Sequence, residues 1–494
     1  MNYKHILAGL CLLLMLGLPA ACSDDFVDVE PENENSEDFF NTPENYEDAL
    51  VGAYDLLQAT YLNVMLGEIA SDNTLAGGES ATDAVGIQEI DDMVHTPVNA
   101  QLRDIWNWMF AGVNRANYIL EFQDKIDFEG KSQIIAQARF LRAYYYFELV
   151  KFFGDVPLAV NRRLLFGDQF NIDRTPKEEV YAQIEQDLIF AAENLPATKP
   201  QTGRITSGAA NALLGKAYLY QDKFSEAATA LEKVISGPYN LVETDNYDTI
   251  FELEGENNIQ SVFEVQYTDK EGAGFGCLQC SEGNVAVGFN GIRNYSGPVF
   301  ESGFSFNVPT QNAYDAYEVG DVRRDVAILN IEEWAAQTGA TFIEGNEHTG
   351  YYNRKYIARE GDENRPDANL TNPNNYRSIR FADVLLMAAE AHNRKANPND
   401  MLATEYLNRV RRRSFGDEDH DITANGAALL DFILEERRLE LLGEGHRFFD
   451  LVRTGRAAGA ISGFQEGKHE VFPIPSIEIE LAGNRWEQNP GYTN

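Results

Sequence analysis

The chain has 494 residues, 44% of them hydrophobic and 11% aromatic, and its 78 Asp and Glu against 40 Lys and Arg give a formal net charge of -38. This length and apolar content predict a globular protein with a large core and exclude disordered and collagen-like classes. The negative charge repels phosphate backbones and anionic lipid, so the composition disfavours nucleic-acid binding.

The N-terminal segment predicts export. Residues 6–18 form an apolar run that suits a secretory signal and is too short to cross a bilayer of roughly 30 Å. The run leads into Leu-Pro-Ala-Ala-Cys at residues 18–22, which resembles the lipobox of bacterial lipoproteins. We therefore expect a signal peptide over residues 1–21 and a lipid on Cys22, followed by an acidic, solvated tether over residues 22–38. The alternative is a plain signal peptide that leaves Cys22 unmodified.

The mature chain carries the 3.6-residue periodicity of amphipathic helices. One apolar stripe runs from Ile134 to Phe152 and stops before Gly154. A second stripe runs from Tyr181 to Leu195. Helices with one apolar face must pack on one another, so a multi-helix core is expected.

Residues 206–238 match the tetratricopeptide pattern of small and large residues. In such a hairpin, the missing side chain of Gly215 lets two helices approach while Leu231 fills the space beside it. A looser copy spans residues 385–407, and repeats of this kind bury their faces only by stacking. The sequence therefore predicts a mainly α-helical fold, built on a tetratricopeptide-like helical repeat scaffold.

Residues 269–375 interrupt this scaffold, which we assign to residues 39–268 and 376–494. A short strand precedes the interruption at residues 259–267, where alternating apolar and polar side chains predict that one face is buried. Eight glycines, interleaved with aromatic residues, then fall between Gly272 and Gly303. Because long loop-rich stretches inside a helical protein are usually functional, we expect the ligand site in this insertion.

Cys277 and Cys280 form a Cys-x-x-Cys motif within the insertion. Two thiolates supply half of a tetrahedral zinc site, and no His lies nearby at ligand spacing. The motif lies among glycines, whereas a redox pair would begin a helix. We favour a local disulfide, and free thiols or metal or redox chemistry are the alternatives.

The sequence carries no recognisable catalytic motif. It contains no His-Glu-x-x-His, no Gly-x-Ser-x-Gly and no phosphate loop. A glycoside hydrolase needs two carboxylates at a set spacing, but acid pairs arise by chance among 78 acids and carry no information. We therefore expect a binding protein without catalytic residues, cofactor or metal.

Several distinctive strings occur in order along the mature chain. The most specific is Gly-Glu-Gly-His-Arg-Phe-Phe-Asp-Leu-Val-Arg at residues 443–453. Others are Ala-Arg-Phe-Leu-Arg-Ala-Tyr-Tyr-Tyr-Phe at 138–147, Phe-Gly-Asp-Val-Pro-Leu at 153–158 and Phe-Pro-Ile-Pro at 472–475. Together these strings resemble the SusD/RagB family over the whole mature chain.

The resemblance implies a surface lipoprotein of a Bacteroidota nutrient-uptake system. Four tetratricopeptide-like helical pairs would form its SusD-like superhelical scaffold, and a more variable region would build the ligand site. Its partner would be a SusC-like TonB-dependent outer-membrane transporter, to which it delivers oligosaccharides or, in some members, peptides. Acidic residues after Cys22 resemble the signal that sends such lipoproteins to the outer surface. We therefore expect a lipid-anchored outer-membrane protein that faces the cell exterior.

The family strings themselves are best explained by packing. Gly443 suits the left-handed residue that closes a helix, and Arg438 can reach Glu435 one turn away. His446 invites a catalytic interpretation, but we assign it to the core or to a helix cap. The leading hypothesis is therefore a non-enzymatic glycan-binding protein. The alternatives are a peptide-binding member of the same family and a surface glycoside hydrolase.

Glycan binding favours aromatic rings, on which the C–H faces of sugars stack, and polar side chains that pair with vicinal hydroxyls. Trp334 in the insertion is either such a stacking platform or a packing residue of a short helix. Trp108 lies off the apolar face of its helix and is expected to be exposed, whereas Trp106 belongs to the core. Family-level analogy adds the polar loop at residues 71–99. The candidate ligand-binding residues are Asp72, Asn73, Trp108, Phe289, Tyr295 and Trp334.

Overall fold

A computed structural model describes residues 36–199, 201–271, 274–362 and 368–493. The predicted signal peptide, Cys22 and the tether up to residue 35 lie outside the described residues. Within those ranges the chain is mainly α-helical with short two-stranded sheets, which confirms the predicted fold class. None of the helices in these ranges is long and apolar enough to cross a membrane.

The elements follow one another from the N-terminus to the insertion in this order. The helices are α1 (Ser36–Phe39), α2 (Pro43–Asp55), α3 (Tyr61–Ile69), α4 (Val85–Asp91), α5 (Ala100–Glu121), α6 (Lys131–Phe153), α7 (Lys177–Asn194), α8 (Ser207–Leu219) and α9 (Phe224–Ile235). The strands are β1 (Thr74–Gly77), β2 (Val156–Pro157), β3 (Arg174–Thr175) and β4 (Ser261–Val265).

Short elements fill the insertion, and long helices follow it. The insertion contains α10 (Ala286–Asn290), β5 (Ile292–Arg293), β6 (Ser302–Gly303), β7 (Phe306–Pro309), α11 (Gln311–Asp315), α12 (Arg323–Ala327), β8 (Ile328–Asn330), α13 (Ile331–Thr338) and β9 (Tyr351–Asn353). The chain continues through β10 (Tyr376–Arg380), α14 (Phe381–Arg394), α15 (Asp400–Phe415), α16 (Gly426–Leu441), α17 (Arg447–Arg453), α18 (Ala457–Ala460) and α19 (Ser476–Leu481).

The long helices stack in sequence order. Helix α2 packs on α5, and α5 to α8 each pack on the next helix along the chain. After the insertion, α14 packs on α9, and α15 and α16 pack on α14. The chain therefore leaves the stack after α9 and rejoins it beside the same helix, which makes the scaffold continuous.

The predicted hairpin consists of α8 and α9, and its close approach depends on Gly215. A Cβ at this position would lie 2.5 Å from Leu231 Cγ, closer than two such atoms can pack. Leu231 is fully buried and fills the space that the glycine leaves open. The packing predicted for these two residues is confirmed.

The insertion departs from β4 and returns through β10, and these two strands pair antiparallel, with Ser261 opposite Arg380. All five residues of β4 are buried, so the expectation that one face of this strand is exposed is wrong. The Glu264 carboxylate explains the difference, because it accepts hydrogen bonds from the Asn257 amide at 3.0 Å and from Asn375 Nδ2 at 3.1 Å. The polar face of β4 is thus covered by protein hydrogen bonds.

A buried ionic cluster centred on Glu440 of α16 ties the insertion to the scaffold. The Glu440 carboxylate accepts hydrogen bonds from Arg380 at 2.7 Å, from Arg413 at 2.6 Å and from Arg323 at 3.2 Å. Burial opposes the charge, but the three guanidinium groups hold the pKa of Glu440 well below its ordinary value. Because Arg323 belongs to α12 of the insertion, the cluster joins four elements from both parts of the chain.

Candidate functional site

The loop after α3 meets the insertion along a two-stranded antiparallel pair. Leu75 of β1 lies opposite Val308 of β7. Beyond the strands, the Gly78 amide donates to Ser305 O at 2.8 Å, and the Asn346 amide donates to Gly78 O at 2.8 Å. The structure therefore brings the polar loop against the insertion. We call this region the junction and define it as residues 74–91, 289–309 and 328–353.

An aromatic cluster within the junction presents Trp334 at its edge. Trp334 Nε1 donates to the Tyr295 hydroxyl at 2.9 Å, and this hydroxyl donates to Pro298 O at 2.7 Å. The Phe300 ring meets the Trp334 ring edge to face, with centroids 5.3 Å apart. Tyr295 and Phe300 are buried, whereas Trp334 is partly exposed. Two buried rings therefore hold one accessible indole in a fixed orientation.

Arg293 of β5 lies between the loop and the insertion. Its guanidinium nitrogens lie 3.4 Å from the Glu79 carboxylate and 3.6 Å from the Asp83 carboxylate. Nη2 also donates to Phe304 O at 3.1 Å, and Nε is buried without a hydrogen-bond partner. Because both carboxylate distances exceed an ordinary hydrogen bond, Arg293 can turn N–H groups toward the hydroxyls of a ligand.

A carboxyl group with a shifted pKa lies beneath β1. Asp91 Oδ2 accepts a hydrogen bond from the Ala76 amide at 2.7 Å. Burial raises the pKa of Asp91 to about 7, and the nearby carboxylates of Glu347 and Asp92 raise it further, while the Ala76 amide lowers it. The junction therefore changes its charge close to neutral pH.

Three side chains of the junction have the composition of a metal site. Glu332, Glu344 and His348 each offer one ligand atom, and these atoms lie within 4.8 Å of one another. His348 Nε2 lies 3.3 Å from Glu332 Oε1. We assign no metal to them, because both carboxylates are exposed and exposed acidic groups commonly lie this close without an ion.

Three phenylalanines extend from the core through the junction to the surface. Phe289 is buried, with its ring centroid 5.8 Å from that of Phe304. Phe304 is partly exposed and lies 5.6 Å from Phe275, which is 66% exposed. Two residues further on, Cys277 forms a disulfide with Cys280. The glycine-rich, aromatic composition of this stretch is the sequence signal for Phe275, which is not among the predicted ligand-binding residues.

Asp72 and Asn73 lie next to the junction but bond within the protein. Asp72 accepts hydrogen bonds from Arg447 Nε at 2.7 Å and Nη2 at 2.8 Å. Burial opposes ionisation, but these bonds hold the pKa of Asp72 below its ordinary value. Asn73 is fully buried, accepts from Arg438 Nε at 2.8 Å and donates to Glu68 Oε1 at 3.1 Å. This geometry favours a role in fixing the loop to α16 and α17.

Trp108 is buried, so the expectation that it is exposed is wrong. Its ring centroid lies 6.1 Å from that of Tyr61 in α3, and only 8% of the residue is accessible. The tyrosine belongs to a helix that packs on the second face of α5, which the periodicity of α5 alone does not reveal. Trp106 lies in the core as predicted. Of the predicted tryptophan sites, Trp334 is the accessible one.

Comparison with known proteins covers nearly the whole chain. Residues 328–492 match a family described as the SusD family, and residues 25–219 match one described as starch-binding and associating with the outer membrane. The SusD-like protein P38 of Formosa agariphila is 27% identical, with 99% of this chain and 100% of the relative covered.

Solved structures agree with these sequence matches. A laminarin binding SusD-like protein is 35% identical, with a TM-score of 0.82 and coverage of 92% of this chain and 100% of that one. Surface glycan-binding protein A from Bacteroides thetaiotaomicron, in complex with laminarihexaose, is 27% identical, with a TM-score of 0.80 and coverage of 91% and 100%. With this identity over the full length of a SusD-like structure, the chain belongs to the SusD family.

Proposed function

We propose that this protein binds a glycan and does not cleave it. The observation that carries the proposal is the 35% identity to a laminarin binding protein over the full length of that protein. A second similar structure was determined with laminarihexaose. These two relatives favour a glycan of the laminarin type as the ligand.

The ligand binds at the junction, with Trp334 as the stacking platform. A sugar ring gains most from an indole that is accessible on one side and fixed on the other, and the Tyr295 and Phe300 contacts provide that support. The Arg293 guanidinium and the carboxylates of Glu79 and Asp83 supply donors and acceptors for vicinal hydroxyls. Phe275, largely exposed, offers a second apolar face for a longer oligosaccharide.

The insertion at residues 269–375 is the ligand-binding region, and residues 39–268 with 376–494 are the scaffold that supports it. The β4–β10 pair and the Glu440 cluster make this support rigid. Rigid support lowers the conformational entropy that a binding surface loses when it captures a ligand. Asp72 and Asn73 serve the site indirectly, by fixing the polar loop against the scaffold.

The protein works at the cell surface with a transporter. A lipid on Cys22 anchors it to the outer membrane, facing the exterior, and it delivers glycans to a SusC-like TonB-dependent transporter. The family resemblance, the lipobox at residues 18–22 and the match of residues 25–219 to an outer-membrane-associated family support this assignment.

Isothermal titration of the mature chain, purified without its lipid, tests the binding proposal. We expect heat of binding with laminarihexaose. We expect the Trp334→Ala variant to lose about 1 kcal/mol or more of binding free energy, roughly a fivefold weakening, with little change in Tm. The matched control is Phe432→Ala, which removes a partly exposed ring from α16 outside the junction and should leave affinity unchanged.

Three outcomes would contradict this assignment. Binding of a peptide pool with no response to glycans would establish a peptide-binding member of the family. Release of products from laminarin by the purified chain would establish a glycoside hydrolase. Unchanged affinity in the Trp334→Ala variant would move the glycan away from the junction.

A further inference from the structure

The disulfide between Cys277 and Cys280 closes a very small ring. The two cysteines are three residues apart, and they are the only cysteines that follow Cys22 in the sequence. A disulfide stabilises a fold mainly by restricting the unfolded chain, and this effect is smallest for short loops. The large buried core and the Glu440 cluster already hold the fold together. The disulfide therefore acts mainly on the conformation of its own loop.

One side of this loop is fixed to the rest of the protein. Leu278 packs against the main hydrophobic core. Ser281 is buried, and its hydroxyl donates a hydrogen bond to Leu370 O at 2.7 Å. The Ser281 amide donates to Leu278 O at 3.2 Å, and Cys280 lies between these two residues. Cys280 is therefore held in place by the residues on both sides of it.

The other side of the loop carries Phe275 between two glycines. Among the residues that the structure describes, none beyond the immediate chain neighbours brings an atom within 4 Å of a Cβ added at Gly274 or Gly276. Glycine has the widest backbone freedom of all residues, so packing does not fix this stretch of backbone. Cys277 is two residues beyond Phe275, and its amide donates to Gly274 O at 3.2 Å. The bond from Cys277 to Cys280 thus links the glycine-flanked stretch to the fixed side of the loop.

Phe275 continues the surface of the junction. Its ring centroid lies 5.6 Å from that of Phe304, and Phe304 O accepts a hydrogen bond from Arg293 Nη2 at 3.1 Å. Arg293 is two residues before Tyr295, whose hydroxyl accepts from Trp334 Nε1. A series of contacts therefore leads from the Trp334 ring to Phe275, which is largely exposed.

We propose that the Cys277–Cys280 disulfide positions Phe275 as a second stacking platform, which makes the site prefer long oligosaccharides. This inference rests on the proposed function, because it assigns a length preference to the same glycan site. Sugar units at one end of the chain stack on Trp334, and units further along the chain stack on Phe275. The disulfide restricts the glycine-flanked backbone before the glycan arrives, so binding loses less conformational entropy. Phe275 contacts the ligand, whereas the two cysteines are positioning residues.

Isothermal titration with two oligosaccharides tests the role of Phe275. The ligands are laminarihexaose and laminaribiose, the disaccharide of the same series. We expect Phe275→Ala to weaken laminarihexaose binding about fivefold, because the far end of the chain loses its platform. Laminaribiose occupies Trp334 alone, so its affinity should be equal in the variant and the parent. The matched control is Phe275→Trp, which keeps an aromatic ring and should bind both ligands as the parent does.

A double-mutant cycle tests whether the disulfide acts through Phe275. We expect Cys277→Ser combined with Cys280→Ser to weaken laminarihexaose binding about threefold, with Tm close to that of the parent. In the Phe275→Ala background the same replacement should change the affinity by less than about 1.5-fold, because the ring that the disulfide positions is gone. Reduction of the folded parent with dithiothreitol, which is oxidised to its cyclic disulfide as both cysteines become thiols, should match the cysteine variant.

The outcomes separate this inference from the proposed function. Equal laminarihexaose affinity in Phe275→Ala and the parent would overturn the second platform. Cysteine replacement that weakens binding equally in both backgrounds, or that also weakens laminaribiose binding, would overturn the positioning role in favour of a general structural one. A parent that responds to neither oligosaccharide would refute the proposed ligand, and the length preference with it.

Discussion

His95 and His469 lie side by side near the C-terminus, with ring centroids 5.3 Å apart. His95 Nε2 bonds to the Tyr492 hydroxyl at 2.8 Å. Burial, together with the charges of His469 and Lys468, lowers the pKa of His95 to about 3. Burial and Lys468 lower the pKa of His469 to about 4. Both imidazoles are therefore neutral in the folded protein at neutral pH.

Acid should destabilise the protein through these two histidines. In the unfolded chain they titrate near 6.5, so below that pH the unfolded state binds protons that the folded state does not. The two neutral histidines make their full contribution to the free energy of unfolding above pH 6.5, and this contribution is lost as the pH falls toward 4. We expect the His95→Gln variant to lose less free energy of unfolding between pH 7 and pH 5 than the parent, by about 2 kcal/mol.

Denaturant unfolding at the two pH values measures this difference. Asp91 and Glu256 have raised pKa values, about 7 in each case, and these carboxyl groups stabilise the folded state as the pH falls. The parent and the variant share this opposite contribution to the free energy of unfolding, so comparing the two proteins cancels it. The control is Phe432→Ala on α16, outside this cluster, which removes no titratable group and should keep the pH dependence of the parent. An identical loss in the His95→Gln variant and the parent would contradict the account.

Gly215 permits the closest helix approach in the predicted repeat. We expect Gly215→Ala to lower the free energy of unfolding by about 1–3 kcal/mol, because its Cβ would overlap Leu231. The control is Gly52→Ala in α2, where no atom lies within 4 Å of the added Cβ. There, alanine should stabilise the helix by about 0.5–1 kcal/mol. Destabilisation of equal size in both variants would contradict the packing argument.

At the scale of elements, Glu440 is the point where α15, α16, β10 and the insertion meet. Removing its charge leaves three buried guanidinium groups without their shared partner. We expect Glu440→Gln to lower the free energy of unfolding by about 3–5 kcal/mol, measured by denaturant titration. Glu435→Gln on the same helix, which breaks a half-exposed pair with Arg438, should cost at most about 0.5 kcal/mol. Similar losses of unfolding free energy in the two variants would show that the burial of the ion pair does not determine the cost of breaking it.

Helices were predictable from the sequence because each carries its own apolar stripe. The stripe from Ile134 to Phe152 became α6, which ends where Gly154 adopts a φ of 69°. Helix α7 likewise buries Tyr181 and Leu188. Gly443, with a φ of 82°, follows α16 and takes the left-handed conformation assigned to it.

Elements covered on two faces were not predictable in the same way. The alternation in β4 suggested one exposed face, but Asn257 and Asn375 cover its polar side. Trp108 lies on the second buried face of α5. Asn375, which covers β4, and Tyr61, which covers Trp108, come from distant parts of the chain, so local periodicity carries no trace of them.

At the scale of the whole molecule, the family resemblance predicted the scaffold more completely than the site. Asp72 lies in the expected loop, yet its partner Arg447 is 375 residues away, and the pair fastens the loop instead of leaving the carboxylate free. Tyr295 likewise supports Trp334 through a hydrogen bond over 39 residues. Which polar groups remain available to a ligand depends on such long-range pairing.

The surface chemistry of the junction is that of a site for a polar ligand. The junction combines a fixed indole with charged groups that can bond to hydroxyls, which suits a hydrated ligand.

A crystal structure of the mature chain with laminarihexaose tests the central claim most directly. The account predicts a sugar ring stacked on Trp334, with hydroxyls bonded to Arg293. Laminarihexaose bound outside the junction would contradict it.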